Sequence, residues 1–314
     1  MSAGDHEDYD YVVDADGDGD YERIQAAVDG AKSFPRERVS IFVREGVYEE
    51  KVTVHSWNPK VDLVGESAAD TIITYDDHFE SIGRGRNSTF FTYTLRVCGD
   101  DFRARNLTVR NTAGPDAGQA VALHTEADRA VFENCRVLGN QDTVYAAGAG
   151  ARQYFADCYV EGTTDFLFGG ATAFFEDCRI HSKADSYVTA ASTPEREPFG
   201  YVFEGCTLTA DPDVSEVYLG RPWRDHAHVA VLRSHLGEHV HPAGWHNWSR
   251  PDAEETATYV EYDTEGPGAR DGGERVDWAS ELTATEAEAY AKANVLLRES
   301  DERFAPNWYR AVTE

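Results

Sequence analysis

A six-residue pattern of apolar and polar positions recurs along the middle of the chain. Position one is Phe and position four is Cys in residues 132–137, 155–160, 175–180 and 203–208, and position six is apolar. The same template fits residues 104–109 upstream and 231–236 downstream. Successive copies are 28, 23, 20, 28 and 28 residues apart. Repeats of about 20–30 residues, each with one short strand of alternating apolar character, indicate a solenoid.

The short repeat length selects one kind of solenoid. A strand, a crossover helix and a return strand do not fit into so few residues, whereas coils of short strands and turns do. The sequence therefore predicts an all-β fold, a parallel β-helix. Positions one, four and six are expected to point inward and stack from coil to coil, Phe on Phe and Cys on Cys. Residues 39–43 and 61–64 are expected to supply strands of the first coils.

Both ends of the solenoid need caps, because terminal coils expose apolar edges. Residues 20–30 read as an amphipathic helix with Asp20 as its N-cap and Gly30 as its stop. Residues 285–297 predict a second helix, opened by Thr285 and packed along the outside of the solenoid. No linker divides the chain, so we predict an N-terminal tail at residues 1–10 and a single domain at residues 11–314.

Four of the five cysteines occupy the same repeat position. We interpret them as a column of small apolar packing residues. Coils stacked about 4.8 Å apart also leave room for one disulfide in an oxidising compartment, with Cys158 and Cys178 as the best candidates. No CxxC pair supports zinc, and the histidines match no metal-ligand spacing, so no metal site is predicted.

The charge balance is strongly acidic. The chain has 57 Asp and Glu against 29 Lys and Arg, a formal charge of −28, and only five of the basic residues are lysines. This composition predicts a halophilic protein, since molar salt shortens the screening length to about 3 Å and quenches self-repulsion. It also argues against nucleic acid and anionic membranes as partners. No run of about 18 apolar residues is present, so no membrane span is predicted.

Two aspartates stand out against the solenoid pattern. Asp142 and Asp165 lie next to apolar strand residues and 23 residues apart, which is one coil, so they can share one face. Two carboxyl groups at short range resist ionising together, so one stays protonated as a general acid and the other stays ionised as a nucleophile. Arg221 is the natural cation to hold the ionised one. The amides of Gln141 and Gln119 are candidate oxyanion-hole donors.

Four segments carry a family resemblance. They are GQAVAL at 118–123, QDTVY at 141–145, GTTDFLFG at 162–169 and YLGRPW at 218–223. Together they resemble the signature motifs of the pectin methylesterases, which are carbohydrate esterases with a right-handed parallel β-helix fold. The likeness covers roughly residues 11–300, and four motifs in order are far more specific than any single one.

The resemblance implies a role for each candidate residue. Asp165 resembles the nucleophile that attacks the C6 methyl ester, and Asp142 the acid that protonates the departing methoxide and later activates water. Gln141 and Gln119 resemble the oxyanion-hole donors, and Arg221 the residue that orients the nucleophile. The aromatic walls of the sugar groove correspond to Trp223, Tyr145 and Phe168. The implied substrate is a methylated galacturonan polysaccharide or oligosaccharide, and no cofactor or metal is implied. Separately, we expect the protein to be a monomer.

Two alternatives remain at this stage. The same aspartate pair could serve an esterase or thioesterase acting on small intracellular substrates or methylated oligogalacturonides. A non-catalytic carbohydrate-binding β-helix would not need a nucleophile beside an acid, which argues against it. No basic region followed by an apolar run opens the chain, so no signal peptide is predicted. Polymeric pectin lies outside cells, and the localisation therefore stays open between extracellular and cytoplasmic.

Overall fold

The protein is a stack of coils in which each turn of chain in the middle of the stack contributes one short strand to each of three sheets. The computed structural model describes residues 9–269, 274–301 and 307–309. Every strand pair within these residues is parallel, and consecutive strands of one sheet are one coil apart in sequence. The predicted right-handed parallel β-helix is confirmed. Residues 1–8 lie outside the described part, and the proposed tail and single-domain boundaries stay predictions.

The three sheets are named here by their strands, given in spatial order. Sheet 1 comprises Tyr11–Val13, Val39–Val43, Val61–Gly65, Arg103–Arg105, Ala130–Glu133, Arg152–Ala156, Thr172–Glu176, Tyr201–Glu204, His228–Leu232, Thr258–Tyr262 and Ser280–Glu281. Sheet 2 comprises Gly46–Glu49, Thr71–Tyr75, Thr108–Asn111, Arg136–Leu138, Tyr159–Gly162, Arg179–Ser182, Thr207–Ala210 and His235–Leu236. Sheet 3 comprises Val52–Val54, Leu95–Val97, Leu123–Thr125, Val144–Ala146, Leu167–Gly169, Tyr187–Ala191 and Tyr218–Gly220.

The repeat positions stack as their periodicity predicts. Phe132, Phe155, Phe175 and Phe203 are paired in register in sheet 1, and their ring centroids are 4.8, 4.6 and 4.8 Å apart. Each side chain is buried in the central core. The four repeat cysteines are also buried there, and all five cysteines are free thiols, so Cys158 and Cys178 are not bridged in this structure. The cysteine column therefore packs the interior, as the first interpretation proposed.

The third repeat position has a backbone reason for its composition. It holds Asn106, Asn134, Asp157, Asp177 and Gly205, all with a left-handed φ between 48° and 65°. This conformation forms the tight turn from sheet 1 to sheet 2 in these five coils, and in the copy at residues 231–236 Arg233 adopts it with a φ of 46°. Asn, Asp and Gly tolerate it best, since a larger side chain would crowd its own carbonyl group. The pattern Phe-x-Asn/Asp/Gly-Cys therefore encodes the turn as well as the core.

The N-terminal helix is shorter than predicted and is capped differently. It runs from Ile24 to Gly30, and its N-cap Arg23 makes no side-chain cap hydrogen bond. Asp20 instead accepts a hydrogen bond from the Val12 amide at 2.8 Å. The buried Glu50 carboxylate accepts from the amides of Ile24 and Gln25 at 2.8 and 3.0 Å. The Asp20 cap was wrong because a carboxylate from a later coil satisfies the free amides of the first turn.

The C-terminal helix is broken into pieces. The segment consists of Ala284–Ala287, a 3₁₀ turn at Glu288–Tyr290 and Lys292–Leu296, with an extended Ala291 between the last two. Its N-cap is Thr283, which forms a capping box with Glu286, and not Thr285. The break lets Tyr290, Val295 and Leu296 all pack on the outer face of sheet 1. The predicted position was correct, and the single continuous helix was wrong, because this packing outweighs helix propensity.

The remaining short helices are Phe79–Ile82 and the 3₁₀ segments Gly85–Phe91 and Pro251–Glu255. The first two belong to a single excursion of the chain between sheets 2 and 3. None of the described helices is long and apolar enough to cross a membrane.

A buried ion pair ties the C-terminal segment to sheet 1. Arg152 and Asp301 are only 2% and 4% exposed, and Arg152 Nη1 pairs with Asp301 Oδ2. The same guanidinium donates to Asp128 Oδ1 at 2.9 Å through Nε and to the Leu296 carbonyl at 2.9 Å through Nη1. This network satisfies a cation that sheet 1 would otherwise bury without a partner.

Candidate active site

Asp142 and Asp165 occupy equivalent places in neighbouring coils. Each lies two residues before the strands of sheet 3 in which Val144 pairs with Leu167. Both have left-handed backbones, with φ of 65° and 50°. Their amides donate to carbonyl groups of the next coil, Asp142 to Thr164 at 3.1 Å and Asp165 to Tyr187 at 2.8 Å. The coil repeat thus places the two carboxyl groups side by side, and left-handed turns that aspartate tolerates hold them there.

Arg221 clamps one of the two carboxylates. Its Nε donates to Asp165 Oδ1 at 2.9 Å and its Nη2 to Asp165 Oδ2 at 2.6 Å, a bidentate geometry. The guanidinium is sandwiched between aromatic rings, 3.9 Å from the centroid of Tyr187 and 3.6 Å from that of Trp248. A planar cation fixed on three sides can orient Asp165 and stabilise its ionised form.

Burial and nearby charges give the two carboxyl groups different pKa values. Burial raises the pKa of Asp142 well above its usual value, the nearby Asp165 charge raises it further, and Arg221 opposes the shift. Burial also raises the pKa of Asp165, but the hydrogen bonds and the charge of Arg221 act directly against that rise. Since Arg221 contacts Asp165 and not Asp142, Asp165 ionises first and Asp142 keeps its proton to higher pH. The pair offers a nucleophile beside an acid.

The carboxyl groups open into a cleft of about 280 Å³ on the outer side of sheet 3. Its polar lining consists of Arg86, Thr89, Gln119, Gln141, Asp142, Asp165 and Arg221. Its apolar lining consists of Phe90, Phe168, Ala190, Trp223 and Trp248. The structure therefore brings all five predicted catalytic residues together, with two of the three predicted aromatic residues.

The third aromatic residue lies beside the cleft. Tyr145 is paired in register with Phe168, and the two rings stack with centroids 4.7 Å apart. Trp223 meets the other side of Phe168 edge-on at 5.8 Å. Trp223, Phe168 and Tyr145 thus form a row of aromatic rings, and Tyr145 is its member on the side of the N-terminal coils. Tyr145 does not line the cleft itself.

Sequence reasoning missed several residues of the site. Trp248 and Tyr187 hold the guanidinium of Arg221, while Arg86 and Phe90 form part of the cleft wall. An aromatic-rich turn at residues 242–248 gave a signal for Trp248. The excursion that carries Arg86 has no repeat periodicity, so nothing in the pattern placed it over the cleft.

The side chains suit acyl chemistry without a metal ligand set. Within the described ranges, no group of three or more His, Cys, Asp or Glu side chains is arranged to hold a metal ion. The arrangement instead offers a clamped carboxylate, a protonated carboxyl group and two uncharged amides around one cleft.

Comparison with known proteins agrees with this geometry. The family model described as Pectinesterase matches residues 10–299. The chain is 36% identical to Pectinesterase 31 of Arabidopsis thaliana over 296 residues, which cover 92% of each protein. It is 37% identical over 293 residues to Probable pectinesterase/pectinesterase inhibitor 23 of the same plant. That match covers 89% of this chain but only 50% of the longer relative.

Solved structures give the same result. Pectin methylesterase from carrot superposes with a TM-score of 0.86 at 33% identity, covering 92% of this chain and 93% of that one. A pectin methylesterase aspartate-to-alanine mutant in complex with a hexasaccharide superposes with a TM-score of 0.80 at 26% identity. That match covers 92% of this chain and 97% of the other. Since the family model spans residues 10–299 and one relative is 36% identical over 92% of its own length, this chain belongs to the pectinesterase family.

Proposed function

We propose that this protein hydrolyses the C6 methyl esters of methylated galacturonan, releasing methanol and leaving free carboxylates. The observation that carries the proposal is the bidentate Arg221–Asp165 pair beside the buried Asp142, in a cleft with two amide side chains. A binding site for sugar would not need a clamped carboxylate next to a protonated one. Membership of the pectinesterase family supports the same reaction.

The first half of the proposed reaction forms an acyl-enzyme. An Asp165 carboxylate oxygen attacks the ester carbonyl carbon, and the negative charge moves to the carbonyl oxygen. Gln119 and Gln141, both lining the cleft, donate amide N–H groups to that oxyanion. The tetrahedral intermediate then expels the methoxy group, which takes the Asp142 proton and leaves as methanol. The substrate acyl group is now bound to Asp165 as an anhydride.

The second half regenerates the enzyme. Asp142, now ionised, takes a proton from a water molecule as the water oxygen attacks the acyl carbon. The anhydride bond to Asp165 breaks, the product leaves as a carboxylic acid, and Asp142 has regained its proton. Arg221 contacts Asp165 before the reaction and keeps its side chain in one orientation, so the carboxylate released at the end is ready for the next attack.

The proposal is tested by measuring methanol and new carboxyl groups together. With highly methylated galacturonan as substrate, the wild-type protein should release one methanol for each carboxyl group formed. A methylated trigalacturonate in the same assay shows whether a short chain suffices. No methanol from either substrate would refute the proposed function.

The pH dependence of kcat/KM follows from the two carboxyl groups. Asp165 must be ionised to attack, and its pKa is raised by burial, so the rate should fall as the pH drops through that raised value. Asp142 must hold its proton, so the rate should fall again as the pH rises through its more strongly raised pKa. We expect a bell-shaped profile for the wild type. Asp142→Asn should lose the alkaline limb and retain a much lower plateau rate; an unchanged alkaline limb would contradict the assignment.

The same variant has a matching stability result. Asp142 has a higher pKa when folded than the ordinary value of 3.8, so the unfolded chain releases its proton at lower pH than the folded chain. The neutral Asp142 side chain is therefore most favourable to folding below about pH 3.8. This contribution to the free energy of unfolding is lost as the pH rises through the folded pKa of Asp142. At pH 7, Asp142→Asn should be at least as stable as the wild type in urea unfolding. A large loss of stability would mean that Asp142 is structural.

Removal of one oxyanion donor should lower kcat with little change in KM. We expect Gln141→Ala and Gln119→Ala each to reduce kcat by about 10²- to 10³-fold, because each loses a donor that is needed mainly in the transition state. Asn140→Ala is the control, since the adjacent Asn140 amide donates to the Ala113 carbonyl at 2.7 Å and does not line the cleft. A rise in KM at constant kcat would show that the amides bind the ground state instead.

A further inference from the structure

Two loops at the N-terminal end of the solenoid carry exposed aromatic side chains. Residues 31–38 and 55–60 each lead into a strand of sheet 1. Phe34 is 73% exposed, and Trp57 is 45% exposed although its indole stacks on the His55 ring at 4.2 Å. The Phe34 amide donates to the Trp57 carbonyl at 2.7 Å, so the two residues are neighbours. Both aromatic side chains are open to a ligand.

Phe34 also has a backbone conformation that its side chain does not favour. Its φ is 50°, in the left-handed region that bulky residues rarely adopt. The turn residues of the solenoid reach this region with short side chains, whereas Phe34 reaches it with an aromatic ring that points into solvent. Core packing therefore does not offset the strain. Residues strained in this way cluster at binding sites.

The same two loops carry cationic side chains. Lys60 Nζ donates to the Arg36 carbonyl at 2.8 Å, so the basic residues lie beside each other as the aromatic residues do. A cavity of about 770 Å³ adjoins the loops. Its wall has three acidic side chains and five cationic ones, which are Arg36, Arg38, Lys60, Arg103 and Arg129. An acidic protein thus gathers basic side chains beside two exposed aromatic rings.

Three of these five cations are not neutralised. Arg38 and Arg129 form ion pairs with carboxylates of neighbouring coils. In the part of the chain that the structure describes, no acidic side chain forms an ion pair with Arg36, Lys60 or Arg103. Burial and the nearby Arg38 charge lower the pKa of Arg103, which an anion bound in the cavity would reverse.

The cavity keeps a positive charge even when its acidic residues are counted. Asp101 and Asp301 are paired with arginines, which leaves the exposed Glu37 against three cations. We refer to Phe34, Trp57 and the cations Arg36, Lys60 and Arg103 as the N-terminal surface.

The N-terminal surface lies away from the catalytic cleft. Its loops join the helix and sheet 3 to sheet 1, whereas Asp142 and Asp165 lie where the chain passes from sheet 2 into sheet 3. The strand Val52–Val54, which leads into the second loop, is also three positions from the strand Val144–Ala146 in sheet 3. None of the five residues of the N-terminal surface lines the cleft. The two sites are therefore separate.

We propose that the N-terminal surface binds a de-esterified stretch of galacturonan while another stretch of the same polymer occupies the cleft. The inference rests on the proposed function, since that reaction leaves carboxylates along a chain of sugar rings. Exposed aromatic rings offer apolar contact area to the C–H faces of sugars, and Lys and Arg pair with carboxylates. A chain with a formal charge of −28 would otherwise repel this polyanion. Attachment at a second point raises the concentration of remaining esters near the cleft.

The first test separates the surface from the cleft by substrate length. The double variant Arg36→Gln/Trp57→Ala removes one cation and one aromatic ring of the surface. Its kcat/KM for methanol release from long, half-methylated galacturonan should fall by about three- to thirtyfold, the product of one exposed ion contact and one aromatic contact. On methylated trigalacturonate it should match the wild type, because a trisaccharide in the cleft has no free stretch left for the surface. The control Arg179→Gln/Val47→Ala changes exposed residues of sheet 2 and should match the wild type on both substrates.

Direct binding gives an independent readout. Calorimetry with fully de-esterified galacturonan, at the lowest NaCl concentration that keeps the protein folded, should show affinity weakened by a similar factor in Arg36→Gln/Trp57→Ala. Molar NaCl should reduce this difference, since it screens the ionic part of the contact. Poly-L-glutamate should bind the wild type more weakly, because it has no sugar ring to place against Phe34 and Trp57.

Several outcomes would overturn the N-terminal surface as a binding site. They are no loss on the long polymer, an equal loss on methylated trigalacturonate, and unchanged affinity for de-esterified galacturonan in the double variant. Poly-L-glutamate binding as tight as that of galacturonan would overturn the assignment of a saccharide ligand. A wild type that releases no methanol from either substrate would instead refute the proposed function, and calorimetry would still decide whether the surface binds the polymer.

Discussion

Asp165→Asn is expected to abolish methanol release, with kcat falling by about 10⁴-fold or more, because an amide cannot attack the ester. Asparagine is the appropriate replacement. It tolerates the left-handed backbone at this position, where φ is 50°, and it keeps the shape that Arg221 contacts. The loss should therefore appear in turnover and not in folding. The measurement is kcat on highly methylated galacturonan, with circular dichroism to show that the variant is folded.

A closely matched control exists in the same solenoid. Asp157→Asn makes the same substitution at an exposed aspartate whose φ is 52°, in the turn from sheet 1 to sheet 2. It should retain wild-type activity, since it removes a carboxylate from an equivalent backbone conformation far from sheet 3. A folded Asp165→Asn protein that still releases methanol near the wild-type rate would eliminate Asp165 as the nucleophile.

The second large effect concerns stability. Arg152→Met should lower the free energy of unfolding by about 3–5 kcal/mol, because Asp301 would remain buried without its cation. The same change removes the hydrogen bonds to Asp128 and to the Leu296 carbonyl, which hold the C-terminal segment on sheet 1. Urea unfolding at constant salt measures the loss.

An exposed ion pair of the same segment provides the comparison. Arg298 and Glu197 are 3.8 Å apart, with side chains 46% and 23% exposed. Arg298→Gln should cost less than about 1 kcal/mol, since water and salt already screen that pair. If Arg152→Met cost no more than Arg298→Gln, the buried network would not anchor the C-terminal segment.

The solenoid could be predicted because its information is local and repeated. Four copies of the six-residue pattern have an inward Phe, a left-handed turn at Asn, Asp or Gly, and an inward Cys, and two further copies keep the same spacing, so errors in one copy are corrected by the others. The spacing between copies equals one coil, which is why the facing of Asp142 and Asp165 could also be predicted.

The helix ends were less predictable, because their partners come from distant residues. Glu50 caps the first helix across 26 residues, a contact that no local capping rule contains. At the other end, the docking of Tyr290, Val295 and Leu296 on sheet 1 breaks a segment with continuous helical propensity. In both cases tertiary contacts changed a locally reasonable assignment.

The sequence by itself determined the coil, the inward repeat positions and five of the polar groups in the cleft, Asp142, Asp165, Gln141, Gln119 and Arg221. It did so because a parallel β-helix converts sequence spacing directly into neighbouring positions in space. Only the tertiary structure decided which carboxyl group is clamped, since Arg221 reaches Asp165 across 56 residues and lies between Tyr187 and Trp248. It also decided that Arg86 stands at the cleft, because the excursion that carries it follows no repeat. The burial of each aspartate and the position of the neighbouring charges depend on residues from several coils. These two factors set the pKa values of Asp142 and Asp165.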